Sequence, residues 1–193
     1  RVVYLNRVYA VLSDINSLIV RVRSRDDLFH ESCRIAVELG GFRMAMICIQ
    51  DPITRKIVPV ASVGKDPALN ASINTILASG ELAPTTMVAR AIREKRQVVS
   101  NDSKRDAQVV FRESYGTAGV GSMAVLPLVV AGEAIGVLAL YASEKNFFHA
   151  EELKLLAELA GDIAFAVDHI GKQDRLDYLA YYDVLTGLAN RNL

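Results

Sequence analysis

The sequence runs to 193 residues, enough for one well-cored domain with a helical extension and too short for two full domains. Apolar residues make up 51% and charged residues 23%, the balance of an ordinary globular protein. The 22 basic and 22 acidic side chains leave a formal charge of zero, which removes the long-range positive field that nucleic-acid binders rely on, so neither DNA nor RNA is an expected partner.

The first element is a helix over residues 1–23. Leu5, Val8, Leu12, Ile15, Ile19 and Val22 recur three and four apart, the spacing of a coiled-coil seam, and Val11 and Leu18 widen the stripe. Such a stripe serves equally to pack on the chain's own domain or against a second copy. Ser24 and Asp27 form a capping box for a second helix, which carries Leu28, Cys33, Ile35, Ala36 and Leu39 and stops at Gly40-Gly41. A strand over 42–50, a turn at Asp51-Pro52 and a return strand over 56–63 follow, with Pro59 assigning the return strand to a sheet edge. Asp66-Pro67 opens a third helix bearing Leu69, Ile73 and Leu77 and ending at Gly80. A short helix over 86–95 leads to a small strand over 97–100.

Residues 101–121 are polar and mixed, with a helical turn or two around Phe111. From Ala118 to Ala142 the only charged residue is Glu133, yet Pro127, Gly132 and the β-branched valines make this stretch two buried strands, 122–130 and 134–142, and not a membrane span. No membrane contact is expected. The closing helix places Leu156, Ile163 and Ile170 seven apart; the stripe weakens at Gly171–Arg175 and resumes at Leu176, Leu179 and Tyr182. Hairpins bracketing helices give an α+β domain: an antiparallel sheet flanked by helices, with the two long terminal helices forming a bundle.

This element order resembles the GAF domain, a small-molecule-sensing fold, over Asp26 to Val167. The residues that carry the likeness are Gly41-Phe42-Arg43-Met44-Ala45-Met46-Ile47, Ser122 with Pro127-Leu128, Gly136-Val137-Leu138, and Phe147-Phe148. The run Asp183-Val184-Leu185-Thr186-Gly187-Leu188-Ala189-Asn190-Arg191 is similar to the opening of the GGDEF domain, whose active members make cyclic di-GMP from two GTP. A bare helix stop at Thr186-Gly187 is the other reading of that run. The two resemblances divide the chain into a signalling helix (1–23), a GAF sensory core (24–149), a closing and linker helix (150–181) and the start of a GGDEF domain (182–193). Starting at Arg1 without Met, and stopping just after the motif, the chain reads as a piece of something longer. In the GGDEF family, Asp183, Leu185, Thr186, Gly187, Leu188, Asn190 and Arg191 shape the start of the domain and take no part at the reaction centre. No catalytic residue is therefore expected in this chain, and GTP and Mg would belong to residues beyond it.

The GAF likeness implies a ligand pocket between sheet and helices. Alternation puts Met44, Met46 and Cys48 on one strand face and Arg43, Ala45, Ile47 and Ile49 on the other; the methionines suit a ligand wall or a packed core alike. Ser62, Asn101, Phe111, Tyr115 and Ser122 are the candidate polar and aromatic contacts. Cyclic-nucleotide GAF domains carry an Asn-Lys pair and an acidic pair after a Phe; here Asn101 precedes Asp102, and Tyr115-Gly116 stands where the acids belong, which argues against cyclic AMP or GMP. Neither Cys33 nor Cys48 matches the bilin attachment point. His30, His149 and His169 have no second ligand at metal spacing, so neither haem nor another metal is expected. Lys104, Arg105 and Arg112 read as a solvated loop before an anion site.

The functional expectation is a cytoplasmic, homodimeric regulatory module that binds an unidentified small molecule and controls a cyclase through its terminal helices, with Gly171–Arg175 as the joint. A ligand-free dimerisation module and a GAF-fold methionine sulfoxide reductase using the two cysteines are the alternatives.

Overall fold

The computed structural model describes residues 2–182 and 185–189. The chain adopts the expected α+β architecture. Its elements are α1 (Val2–Arg21), α2 (Arg25–Glu38), β1 (Met44–Gln50), β2 (Ile57–Gly64), α3 (Pro67–Ala78), α4 (Met87–Glu94), β3 (Val98–Ser100), α5 (Arg112–Thr117), β4 (Ser122–Val130), β5 (Glu133–Ala142) and α6 (Ala150–Tyr181). Five strands make one antiparallel sheet in the order β2-β1-β5-β4-β3, so Pro59 lies on an edge strand, where a residue without an N–H is tolerated.

Local chemistry accounts for the helix starts. The Ser24 hydroxyl accepts from the Asp27 N–H (3.4 Å) at the head of α2. The Asp66 carboxylate accepts from the Leu69 N–H (3.0 Å) ahead of Pro67 in α3. The β4–β5 hairpin turns through Ala131 (φ 51°) and Gly132 (φ 80°), the left-handed pair that matches strand twist in a tight hairpin.

Strand alternation splits the interior into two layers. Ala45, Ile47, Ala124, Leu126, Leu138 and Leu140 face α1, α2 and α6. Met44, Met46, Cys48, Val125, Ala139 and Tyr141 face α3, α4 and α5. The apolar stripe of α1 is spent within the chain: Val8, Val11, Ile15 and Leu18 are buried, and Leu12, Ile19 and Val22 pack on the same cluster, with Leu5 half-buried. Leu156, Ile163 and Ile170 of α6 are buried in that cluster as well. Both stripes the sequence offered as a shared seam therefore close on their own domain.

Arg7 fastens α1 in place. Its guanidinium donates to Gly40 O (2.5 Å) and Gly41 O (3.0 Å), pairs with Glu144 (2.6 Å), and lies 4.7 Å from the Phe147 ring centre. Glu144 and Phe147 belong to the short connector between β5 and α6. The other side of that connector is held by Asn101, whose amide donates to Phe148 O (2.8 Å) and accepts from Phe148 N–H (3.1 Å), and by Lys145 pairing with Asp102 (2.8 Å).

The last helix is continuous through Gly171–Arg175, with no break at the expected joint. From residue 172 to 182 every side chain is exposed, so α6 overhangs the domain. Beyond it Tyr182 bridges Ala189 in antiparallel fashion, and Gly187 takes φ 67°.

Candidate functional site

A small cavity of about 30 Å³ lies between the second sheet face and α3, α4 and α5. Ile73, Leu77, Met87, Val109, Met123 and Val125 give it apolar walls; Thr86, Tyr115 and Tyr141 are its polar lining residues. The rings of Tyr115 and Tyr141 stack with centres 5.8 Å apart and planes 16° apart. Burial pushes the Tyr115 phenol up to about 12 and raises Tyr141 well above the ordinary range, so both stay neutral and act only as hydrogen-bonding groups. The space holds one or two water-sized groups.

Of the seven residues picked as ligand contacts, Tyr115 alone lines this cavity. Met44 and Met46 are buried on the same sheet face but sit in packed core beside it. Ser62 donates to Asn70 Oδ1 (3.0 Å), tying the edge strand to α3. Asn101 clamps the Phe148 backbone, and Ser122 donates to Glu144 O (2.7 Å); both act at the β5–α6 connector, away from the cavity. Phe111 is 46% exposed and takes φ 61° just before α5. Tyr141 went unmarked in the sequence, although its signal was there: it pairs with Met44 across the β1–β5 ladder, and so shares the face already assigned to Met44 and Met46.

Cys33 and Cys48 lie on opposite sides of the sheet, one in each core layer. Desolvation lifts each thiol from about 9.0 to about 12, the reverse of what a nucleophilic cysteine needs. Two thiols and two phenols thus hold their protons more tightly folded than unfolded. The stability they contribute is fully present below about pH 9 and is lost as pH rises toward 12. We expect a urea midpoint that is level from pH 7 to 8.5 and falls steadily by pH 11; a midpoint unchanged at pH 11 would contradict these shifts. A thiol reagent should label neither cysteine at pH 8 until the protein is unfolded.

His30, His149 and His169 are exposed, and His169 stacks on Phe165 (6.4 Å). Among the described residues no group of three or more His, Cys, Asp or Glu side chains is placed to hold a metal ion, and no helix is long and apolar enough to cross a membrane. In the run after α6, Leu185 and Leu188 are exposed, and Thr186 Oγ1 accepts from Leu188 N–H (3.4 Å) near Gly187. Asp183, Asn190 and Arg191 lie outside the described residues.

No curated protein sequence matches the chain. Among solved structures it is similar to the free methionine-R-sulfoxide reductase from Neisseria meningitidis in complex with its substrate: 16% identity, 86% of this chain and 91% of that one covered, TM-score 0.70. It is similar to the GAF domain of a phosphoenolpyruvate-protein phosphotransferase from Coxiella burnetii at 16% identity, with 89% and 98% covered and TM-score 0.70. A GAF domain/HD domain protein from Geobacter sulfurreducens matches at 18% identity, with 83% and 98% covered and TM-score 0.59. At such identities these likenesses establish the fold and leave the chemistry to the site itself. The GAF domain profile matches residues 22–168, most of the chain, and with the sheet order and two-layer core already described, the chain belongs to the GAF domain family.

Proposed function

We propose that this chain is the regulatory part of a cytoplasmic, dimeric signalling protein, and that it sets the activity of a GGDEF domain making cyclic di-GMP. The observation that carries this reading is the overhang of α6. Its residues 172–182 project Leu176, Tyr178, Leu179 and Tyr181 from an otherwise isolated helix and run directly into the Asp-x-Leu-Thr-Gly-Leu-x-Asn-Arg run. A single helix with that much exposed apolar surface is stable against a partner helix, and a second copy offers one by symmetry. The outer face of α1 supports the same arrangement: Val2, Val3, Asn6, Tyr9, Ala10, Ser13, Asn16, Ser17 and Val20 are exposed, with the exposed charges Asp14 and Arg21 to one side of them. In this reading the interface lies on these outward faces, and the inward stripes belong to the domain core. The chain itself is no enzyme in this reading; GTP and Mg are handled by the GGDEF domain, where two copies must meet. Two unpaired thiols suit a reducing compartment.

Sedimentation velocity tests the proposal. The chain should sediment as a dimer, and Leu176→Glu with Leu179→Glu should turn it into a monomer whose core melts at an unchanged temperature. A wild-type chain that stays monomeric at high concentration would sink the proposal.

The ligand-free alternative is favoured by one observation, the size of the buried cavity: 30 Å³ admits no nucleotide, bilin or haem without rearrangement of α3–α5. A thermal-shift screen separates the two readings, because a native-state ligand must raise the melting temperature. The sulfoxide reductase reading is disfavoured by the two thiols, which are buried, separated by the sheet and high in pKa.

A further inference from the structure

A second and far larger concavity, about 720 Å³, opens on the surface between the tips of the β1–β2 and β4–β5 hairpins and the C-terminal ends of α3 and α4. Its floor is apolar, formed by Ile57, Pro59, Leu77, Ile92 and Ala134. Its rim is basic: Arg55 and Lys56 come from the first hairpin, Arg93 and Lys95 from the end of α4. Leu77 is common to this cleft and the buried cavity, so one side chain forms the wall between them.

The charge at the rim has no internal balance. Among the described residues Glu133 is the only carboxylate lining the cleft, and it is taken by Lys95 (3.1 Å), which also donates to Gly132 O (2.7 Å). The acids nearest in sequence are engaged as well. Asp51 accepts from the N–H groups of Ile53 (2.9 Å) and Thr54 (2.6 Å), and Glu94 pairs with Arg90 (3.0 Å) and Arg96 (2.7 Å). Among the described residues the side chains of Arg55, Lys56 and Arg93 have no carboxylate partner, in a chain whose formal charge is zero. The turn carrying Arg55 is itself fixed: its N–H donates to Asp51 O (2.9 Å) and its C=O accepts from Gln50 Nε2 (3.1 Å). Three unmatched cations from two separate elements thus converge on an apolar cleft of the volume that small-molecule sites occupy.

We infer that this cleft binds a small amphipathic anion, a carboxylate or phosphate monoester carrying an apolar chain or ring. The fold also sets its orientation. α3 and α4 both end at the cleft, and helix C-termini repel anions, so the head group is held by the rim side chains while the apolar body lies on the floor away from backbone carbonyls. Desolvating the floor accounts for affinity and the cations for selectivity.

The test is titration of the intact chain with monomeric decanoate, with decanol, acetate and inorganic phosphate as matched controls, followed by calorimetry and amide chemical shifts. Decanoate should bind, with shifts at residues 55–59, 77–80, 92–95 and 133–134; decanol should bind at least tenfold more weakly, and acetate and phosphate not measurably. The Arg55→Glu, Lys56→Glu, Arg93→Glu triple variant changes only exposed positions and should lose at least tenfold in affinity with unaltered circular dichroism; the same three positions changed to Gln serve if charge reversal disturbs folding. The inference is overturned by equal binding of decanol, by binding unchanged in the Gln variant, by shifts confined to the Tyr115–Tyr141 cavity, or by attachment to anionic vesicles without binding of monomeric decanoate. Because the dimer and its overhanging helix play no part in this cleft, a monomeric chain would leave these outcomes intact.

Discussion

Replacing Ile163 by glutamate should unfold most of the protein at room temperature, with a loss of more than about 4 kcal/mol of stability. Ile163 is fully buried where α6 crosses the sheet, in the cluster that includes Ile15, Leu126 and Leu156. A carboxylate there enters a cluster of apolar side chains, and it must either ionise in that layer or fold protonated. Ile163→Ala should cost about 2–4 kcal/mol from lost burial and a partly collapsed cavity, and Ile170→Glu should follow Ile163→Glu with a smaller effect because the site lies nearer the edge of the core. Urea unfolding measures all three. The result also discriminates between arrangements: a seam shared by two copies predicts a folded monomer for Ile163→Glu, and an internal seam predicts loss of the domain itself. A soluble, folded, monomeric Ile163→Glu chain would overturn the packing described here.

Gly136→Ala should be nearly as damaging. A Cβ built at Gly136 falls 2.1 Å from Cys48 O and 2.9 Å from Ile49 Cδ1, so β5 cannot accept a methyl group without moving β1. Overpacking against backbone costs about 3 kcal/mol, or roughly a 6–12 °C drop in Tm for a chain of this length. Gly171 makes the contrast: its added Cβ also meets an atom at 2.1 Å, but that atom is the Arg25 Nη2, the mobile end of an exposed side chain. Gly171→Ala should therefore leave stability unchanged or raise it by up to about 1 kcal/mol through helix propensity. A destabilised Gly171→Ala chain would mean that Arg25 is held more firmly than its exposure implies.

Elements carried by local chemistry were legible in the sequence. The Ser24 and Asp66 caps, the hairpin at Ala131-Gly132 and the edge assignment of Pro59 each follow from residues within a few positions of one another. Periodicity identified the stripes of α1 and α6 but not what covers them, since a three-four spacing fits a groove of the same domain as well as a second helix. The polar candidates failed for a related reason. Asn101 and Ser122 carry the groups a pocket needs, yet their partners are backbone atoms 47 and 22 residues away, at Phe148 and Glu144. No local pattern predicts such clamps. The basic cleft was hidden because Arg55 and Lys56 lie 37 or more residues from Arg93 and Lys95, and only the sheet order brings the two hairpin tips to the end of α4.

The connector between β5 and α6 acquires a thermodynamic meaning from the way it is gripped. Arg7 reaches it from the helix that begins the domain, and Asn101 reaches it from the loop that runs on to Tyr115 and the buried cavity. If a shift of the connector couples the two grips, the coupling free energy is the same whichever grip is changed first. The helix α6 starts from that connector, so a change at either grip would bear on where α6 begins.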